Sequence, residues 1–166
     1  NPLWYKTPIA PPLAAALEGK RVELGVAWQA VSRLQAARDW VLVEGAGGLG
    51  SPITRELIVA DMASQWKLPT VLVVPVKLGS ISATIASVAL AKEKRVKLCG
   101  IVLSCTNPCT QLQIDNWTPI ELIESRTRVP VLGILPHLRQ IKDHEALADA
   151  AAQLDLERLM PKAFWA

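Results

Sequence analysis

Short apolar runs alternate with helical stretches along almost the whole chain, and this alternation restricts the fold more than any other feature. Trp40-Val41-Leu42-Val43-Glu44, Thr70 to Val76, Gly100-Ile101-Val102-Leu103-Ser104 and Val131 to Leu135 are apolar at successive positions. Such runs predict strands buried on both faces. Between them, Leu24, Trp28, Val31 and Leu34 recur at spacings of three and four, which predicts a helix over 24–38. Further helices are expected over 54–66, ended by Leu68-Pro69, over the alanine-rich 80–94, and over 144–154 just after Asp143. Thr118-Pro119-Ile120-Glu121 predicts a helix start, with a capping threonine, a proline suited to the first turn and a glutamate completing a capping box. Strands covered on both faces by helices form a parallel sheet, so the expected fold class is α/β, doubly wound, with helices on both faces. Residues 1–166 are expected to form a single domain. Within it, 1–19, with Pro2, Pro8, Pro11 and Pro12, is an irregular arm, and 20–160 carry the β/α units.

Composition removes several classes of function. The 166 residues are 51% hydrophobic and 20% charged, which suits a packed core and opposes disorder. The net charge of +3 is small and its basic residues are dispersed, so no nucleic-acid partner is implied. No apolar run reaches the ~18 residues of a membrane span, and no secretory leader pattern opens the chain. Cys99, Cys105 and Cys109 have no nearby histidine and are odd in number, which fits free thiols in a reducing cytoplasm better than a zinc site or a disulfide framework.

Open α/β sheets bind ligands beyond the carboxyl ends of their strands. Glu44-Gly45-Ala46-Gly47-Gly48-Leu49-Gly50 follows the first expected strand. Its carboxylate suits magnesium, and its glycines let backbone N–H groups approach an anion; a solvated acid before a flexible turn is the plainer reading. Gly45, Gly47 and Gly50 also match G-x-G-x-x-G, but the next strand ends in Val76-Lys77 without the acid that a dinucleotide site needs. Lys77-Leu78-Gly79-Ser80-Ile81-Ser82 opens a helix, where free N–H groups and the helix dipole favour a carboxylate or phosphate; a plain N-cap is the alternative. Ser104-Cys105-Thr106-Asn107-Pro108 offers small polar groups to a base edge or serves only as a turn, and His137 follows the last strand. The 166 residues contain neither G-x-x-x-x-G-K-[ST] nor a nucleophile elbow.

Together, Val41-Leu42-Val43-Glu44-Gly45-Ala46-Gly47-Gly48, Ala60-Asp61, Leu68-Pro69-Thr70-Val71-Leu72-Val73-Val74, Val76-Lys77-Leu78-Gly79 and Leu132-Gly133-Ile134-Leu135-Pro136 resemble the dethiobiotin synthetase family, with Pro8 to Ala16 similar to its proline-bearing segment before the central helix. The resemblance implies a P-loop NTPase-like fold and a cytoplasmic homodimer. It implies an ATP-dependent carbon–nitrogen cyclo-ligase of biotin biosynthesis, acting on 7,8-diaminononanoate and CO2 with Mg2+ and ATP. The diamine gives a carbamate, ATP phosphorylates it, and the second amine closes the ureido ring. By position, Glu44 resembles the magnesium-binding glutamate, and Gly45, Ala46 and Gly47 would line the phosphoryl region. Lys77 and Gly79, Ser80, Ile81 and Ser82 match the helix start that receives the substrate's tail carboxylate from the neighbouring subunit. Ser104 and Cys105 fall where an asparagine usually reads adenine. Pro136, His137 and Leu138 fall at the adenine-side loop, and Asp143 at a ribose-side acid.

Two departures accompany the resemblance. The family's P-loop, its catalytic lysines and an aspartate that helps hold magnesium have no counterpart in these residues, so a fragment of a complete enzyme, inactive alone, is expected. Serine at 104 supplies one hydroxyl where an amide supplies both donor and acceptor, which predicts weaker adenine selectivity. The alternatives are a non-catalytic remnant that binds a ligand or partner, and another P-loop relative such as a partitioning ATPase or an amidoligase domain.

Overall fold

A computed structural model describes residues 1–140 and 142–160; residue 141 and residues 161–166 of the expected domain lie outside them. Three strands, β1 (Thr70–Pro75), β2 (Leu98–Ser104) and β3 (Val131–Leu135), form a parallel sheet in the order β1-β2-β3. The helices are α1 (Pro11–Leu17), α2 (Leu24–Ala37), α3 (Val59–Gln65), α4 (Ser80–Glu93), α5 (Gln111–Trp117), α6 (Ile120–Thr127), α7 (His144–Ala152) and α8 (Leu156–Leu159). None of the described helices is long and apolar enough to cross a membrane.

The expected α/β class holds, and the packing explains the continuous apolar runs. Ile101 and Leu103 of β2 are fully buried with Val74, with Val88 of α4 and with Ile123 of α6. Val102, pointing to the opposite face, is also buried. A second cluster joins Leu49, Ile53, Val59, Ala60 and Ala63 to Ala91 and Val96. Trp28 of α2 packs against Trp66 with ring centroids 5.2 Å apart and planes tilted by 48°, which ties α2 to the end of α3.

Four sequence expectations need correction. The run 40–44 makes no strand: none of the described residues takes its backbone hydrogen bonds, and Trp40 and Leu42 remain exposed. A β-branched run marks a segment suited to a sheet, but a strand exists only with a hydrogen-bonded neighbour. On the side away from β2, β1 likewise has no ladder partner among the described residues. The arm 1–19 contains α1, because Pro11 and Pro12 occupy its first turn, where a missing N–H costs nothing. The helix expected over 54–66 begins only at Val59. The Thr54 hydroxyl accepts from the Glu56 and Leu57 amides and holds a turn there instead. Thr118 does not cap α6. Its hydroxyl donates to Ile114 O at 3.1 Å and closes α5, a helix whose own capping box is Thr110 with Gln113.

Asp61 fixes the start of α3. Its carboxylate accepts from the Ile58 amide at 3.0 Å and pairs with Lys94 at 2.8 Å, joining α3 to the end of α4. The amide bond first, and Lys94 second, hold the carboxyl below the ordinary aspartate range. A depressed pKa contributes stability above the unfolded carboxyl's pKa, and this is lost as pH falls through the folded value. Asp61→Asn is therefore expected to lower Tm at pH 7, with the gap to the parent closing as acid protonates Asp61. An equal gap at neutral pH and at pH 3, in thermal scans across that range, would show that the charge is not what matters.

Candidate functional site

The ladder aligns the three strand ends on one rim. The Val76 amide donates to Ser104 O at 2.8 Å, and the Cys105 amide donates to Leu135 O at 2.9 Å. Lys77, Cys105 and Pro136 therefore leave the sheet at the same edge, the side on which such sheets hold ligands.

A cavity of about 520 Å³, within the usual range for small-molecule sites, opens beside the ends of β2 and β3. Cys105, Pro136 and His137, all expected at a nucleotide site, line it together. Pro108, Cys109, Gln111, Arg139 and Gln153 also line it, so a guanidinium, an imidazole and two amides share the wall with apolar Ile114 and Ile134. Ser104 stands at the end of β2, and its hydroxyl has no internal partner among the described residues. Burial first, and then the adjacent Cys109, pushes the Cys105 thiol above its ordinary range. Leu138 and Asp143 do not line the cavity. One Asp143 carboxylate oxygen caps α7, accepting from the Glu145 and Ala146 amides at 3.1 Å each.

The turn into α4 forms a second group. Gly79 is the N-cap at φ +91°, a left-handed conformation that suits glycine, and no side chain caps the helix. The Ser80 amide donates to Lys77 O, whereas the Ile81 and Ser82 amides have no acceptor among the described residues. Ser80 is buried and its hydroxyl donates to Pro75 O, so Ser82 is the serine left facing outward. The Lys77 ammonium is exposed and unpaired among the described residues. Two open amides, a hydroxyl and a cation make this helix start suited to an anion.

Glu44 to Gly48 form a third group, on the loop that leads into α3. The Val59 amide donates to Ser51 O and the Ala60 amide to Leu49 O, which docks the loop on that helix. Gly47, at φ +92°, brings the backbone against the Ser51 side chain, where a Cβ would collide. The Gly45, Ala46 and Gly48 amides have no internal acceptor among the described residues. Glu44 is exposed and without a partner there, and no cluster of three or more His, Cys, Asp or Glu side chains occurs among the described residues. A lone free carboxylate fits magnesium, which keeps several waters and takes its remaining oxygens from substrate phosphates.

Sequence reasoning missed Cys109, Gln111 and Gln153 as wall residues. The capping box Thr110–Gln113 was the available signal for α5, which carries Gln111 to the cavity. Gln153 arrives only through the packing of the end of α7 against β3.

A family model for the AAA domain matches residues 1–145 and places the chain in that class, with which the parallel sheet and its rim agree. Three curated relatives, each an ATP-dependent dethiobiotin synthetase, align with 96% of the chain. That of Gloeothece citriformis is 56% identical over 71% of its own length, that of Crocosphaera subtropica 54% over 72%, and that of Synechocystis sp. 49% over 68%. The chain belongs to the dethiobiotin synthetase family.

Proposed function

We propose that the chain is the base- and substrate-binding part of an ATP-dependent dethiobiotin synthetase, and that a triphosphate grip comes from residues outside these 166. The observation that carries this reading is the convergence of Cys105, Pro136 and His137 on one cavity at the carboxyl rim. The cavity takes the adenine ring between Ile114 and Ile134 and the Pro136–His137 segment, with Cys105 on its wall and Ser104 just before it at the base edge. Leu138 and Asp143 belong to the same base and ribose side. Glu44, in line with Gly45, Ala46 and Gly47, holds magnesium through one carboxylate; when bound, that ion neutralises phosphate charge. Lys77, Gly79, Ile81 and Ser82 receive the carboxylate of 7,8-diaminononanoate, with Ser80 fixing the turn, and in a homodimer that carboxylate arrives from the neighbouring protomer's substrate. The chain's own contribution to phosphorylating the carbamate and closing the ring is positioning and charge neutralisation. The cytoplasm is the compartment this reading assigns.

Calorimetric titration with Mg-ATP, with and without the diamine, on this chain and on one extended upstream tests the proposal. Saturable Mg-ATP binding that strengthens in the extended chain is expected; no binding to either overturns the nucleotide reading. Ser104→Asn is expected to raise the preference for ATP over GTP about tenfold, the worth of one added hydrogen bond. Competitive titration of the two nucleotides measures this ratio, and an unaltered ratio removes residue 104 from the base edge.

A further inference from the structure

The cavity wall carries two thiols that the ligase reading does not use. Cys105 follows β2 directly and is buried, and Cys109 lies four residues on, half-buried across Thr106-Asn107-Pro108. Both line the cavity, and Cys109 packs against the apolar cluster that contains Cys105. Cys109 lies near enough to Cys105 to disfavour a charge on its thiol, and both sulfurs stand against the same apolar cluster. Both ends of the loop are fixed: the Cys105 amide donates to Leu135 O, and the Thr110 amide donates to Gln113 Oε1 at 2.8 Å. Between these anchors, Thr106, Asn107 and Pro108 are exposed and can absorb a rearrangement.

We propose that Cys105 and Cys109 form a reversible redox modification site that a low-molecular-weight disulfide converts to an intramolecular bridge across the cavity wall. Cys109 is the more exposed thiol, and it holds only weak contacts to Asn107 O at 3.3 Å and Val76 O at 3.9 Å. Its thiolate attacks one sulfur of the small disulfide; that S–S bond breaks and one small thiol leaves. The Cys105 thiolate then attacks the Cys109 sulfur and expels the second small thiol. Two protein thiols lose two electrons and two protons, and the small disulfide becomes two thiols. The order follows from access: Cys109 is half-buried whereas Cys105 is buried, and burial disfavours a thiolate at Cys105 as the first attacker. Cys99 takes no part. It lies on β2 six residues before Cys105, roughly 20 Å away at strand rise, and serves as an internal control.

The consequence for ligands rests on the nucleotide reading above. Bridging draws Cys109 off its two carbonyls and moves Cys109 and Pro108, both wall residues, so Mg-ATP affinity falls.

The test incubates the chain with oxidised glutathione, alkylates remaining thiols, and maps the peptides by mass spectrometry. A peptide with residues 105 and 109 joined, two hydrogens lighter, and Cys99 alkylated is the expected result, reversed by dithiothreitol. A persistent glutathionyl adduct on Cys109, or alkylation of both thiols, overturns the bridge. Cys109→Ser and, separately, Cys105→Ser must each abolish the joined peptide, and Cys105→Ser must trap the adduct on Cys109. Calorimetry then compares the oxidised and re-reduced chain. A loss of Mg-ATP affinity of tenfold or more, restored on reduction, is expected; unchanged affinity in a fully bridged sample overturns the coupling. A reduced chain that binds no Mg-ATP refutes the nucleotide reading instead, and the peptide map alone then decides the bridge.

Discussion

Glu44→Gln is expected to lower magnesium-dependent turnover about 100-fold while leaving diamine binding near the parent value. Glutamine keeps the shape of the side chain and removes only the charge, and magnesium strongly prefers an anionic oxygen. Glu44 is exposed and has no partner among the described residues, so the substitution breaks no internal contact. Stability should stay within about 0.5 kcal/mol of the parent, and lost turnover then reports the cation rather than the fold. The measurement is the initial rate against free magnesium at saturating ATP, in a form of the enzyme that carries its triphosphate grip. The variant's curve should shift to higher magnesium. Equal rates at limiting magnesium would remove Glu44 from the metal.

Gly133→Val is the largest expected change in stability, a loss of about 3 kcal/mol or more from left-handed strain together with overpacking. Gly133 lies in β3 at φ +137°, a conformation that β-branched residues avoid. A Cβ there would lie 2.8 Å from Leu154 Cδ2 and 3.0 Å from Gln153 O. The carbonyl is backbone, and just beyond it the Asp155 amide donates to Leu132 O at 2.7 Å, so the chain has little room to yield. Gln153 also lines the cavity, which makes Gly133 a support of the candidate site as well as of the sheet. Urea unfolding should show a lower midpoint for Gly133→Val and a smaller shift in the same direction for Gly133→Ala. Parent-like stability in both would mean that the end of α7 does not press on β3.

The strands that form, β1 to β3, were legible because a run apolar at every position has few uses other than a sheet covered on both faces. Helix α2 was legible from spacing, α4 from its alanine content and α7 from its start just after Asp143. The run 40–44 carries the same pattern and forms no strand, because periodicity records what a segment would bury and not whether a neighbour exists. Thr118 lies between two helices and fits either boundary by type; the bond to Ile114 O decides for α5. In the site, the strand-end rule pointed to the segments that hold Cys105, Pro136 and His137, and the family resemblance supplied their nucleotide role. Gln153 was not legible, since it reaches the cavity from a helix end whose position depends on one glycine in another element. Ser80 shows the opposite limit: its place at the helix start was readable, but its hydroxyl is spent on Pro75 O.

The bare margin of β1 has a practical consequence. Among the described residues its outer amides and carbonyls have no ladder partner, and with Val73 at 60% exposure the margin suits an added extended segment. Left uncovered, that margin would let crowded molecules adhere through backbone bonds that salt hardly screens. Dispersal then depends on a lysine or proline set into the margin, not on the choice of buffer.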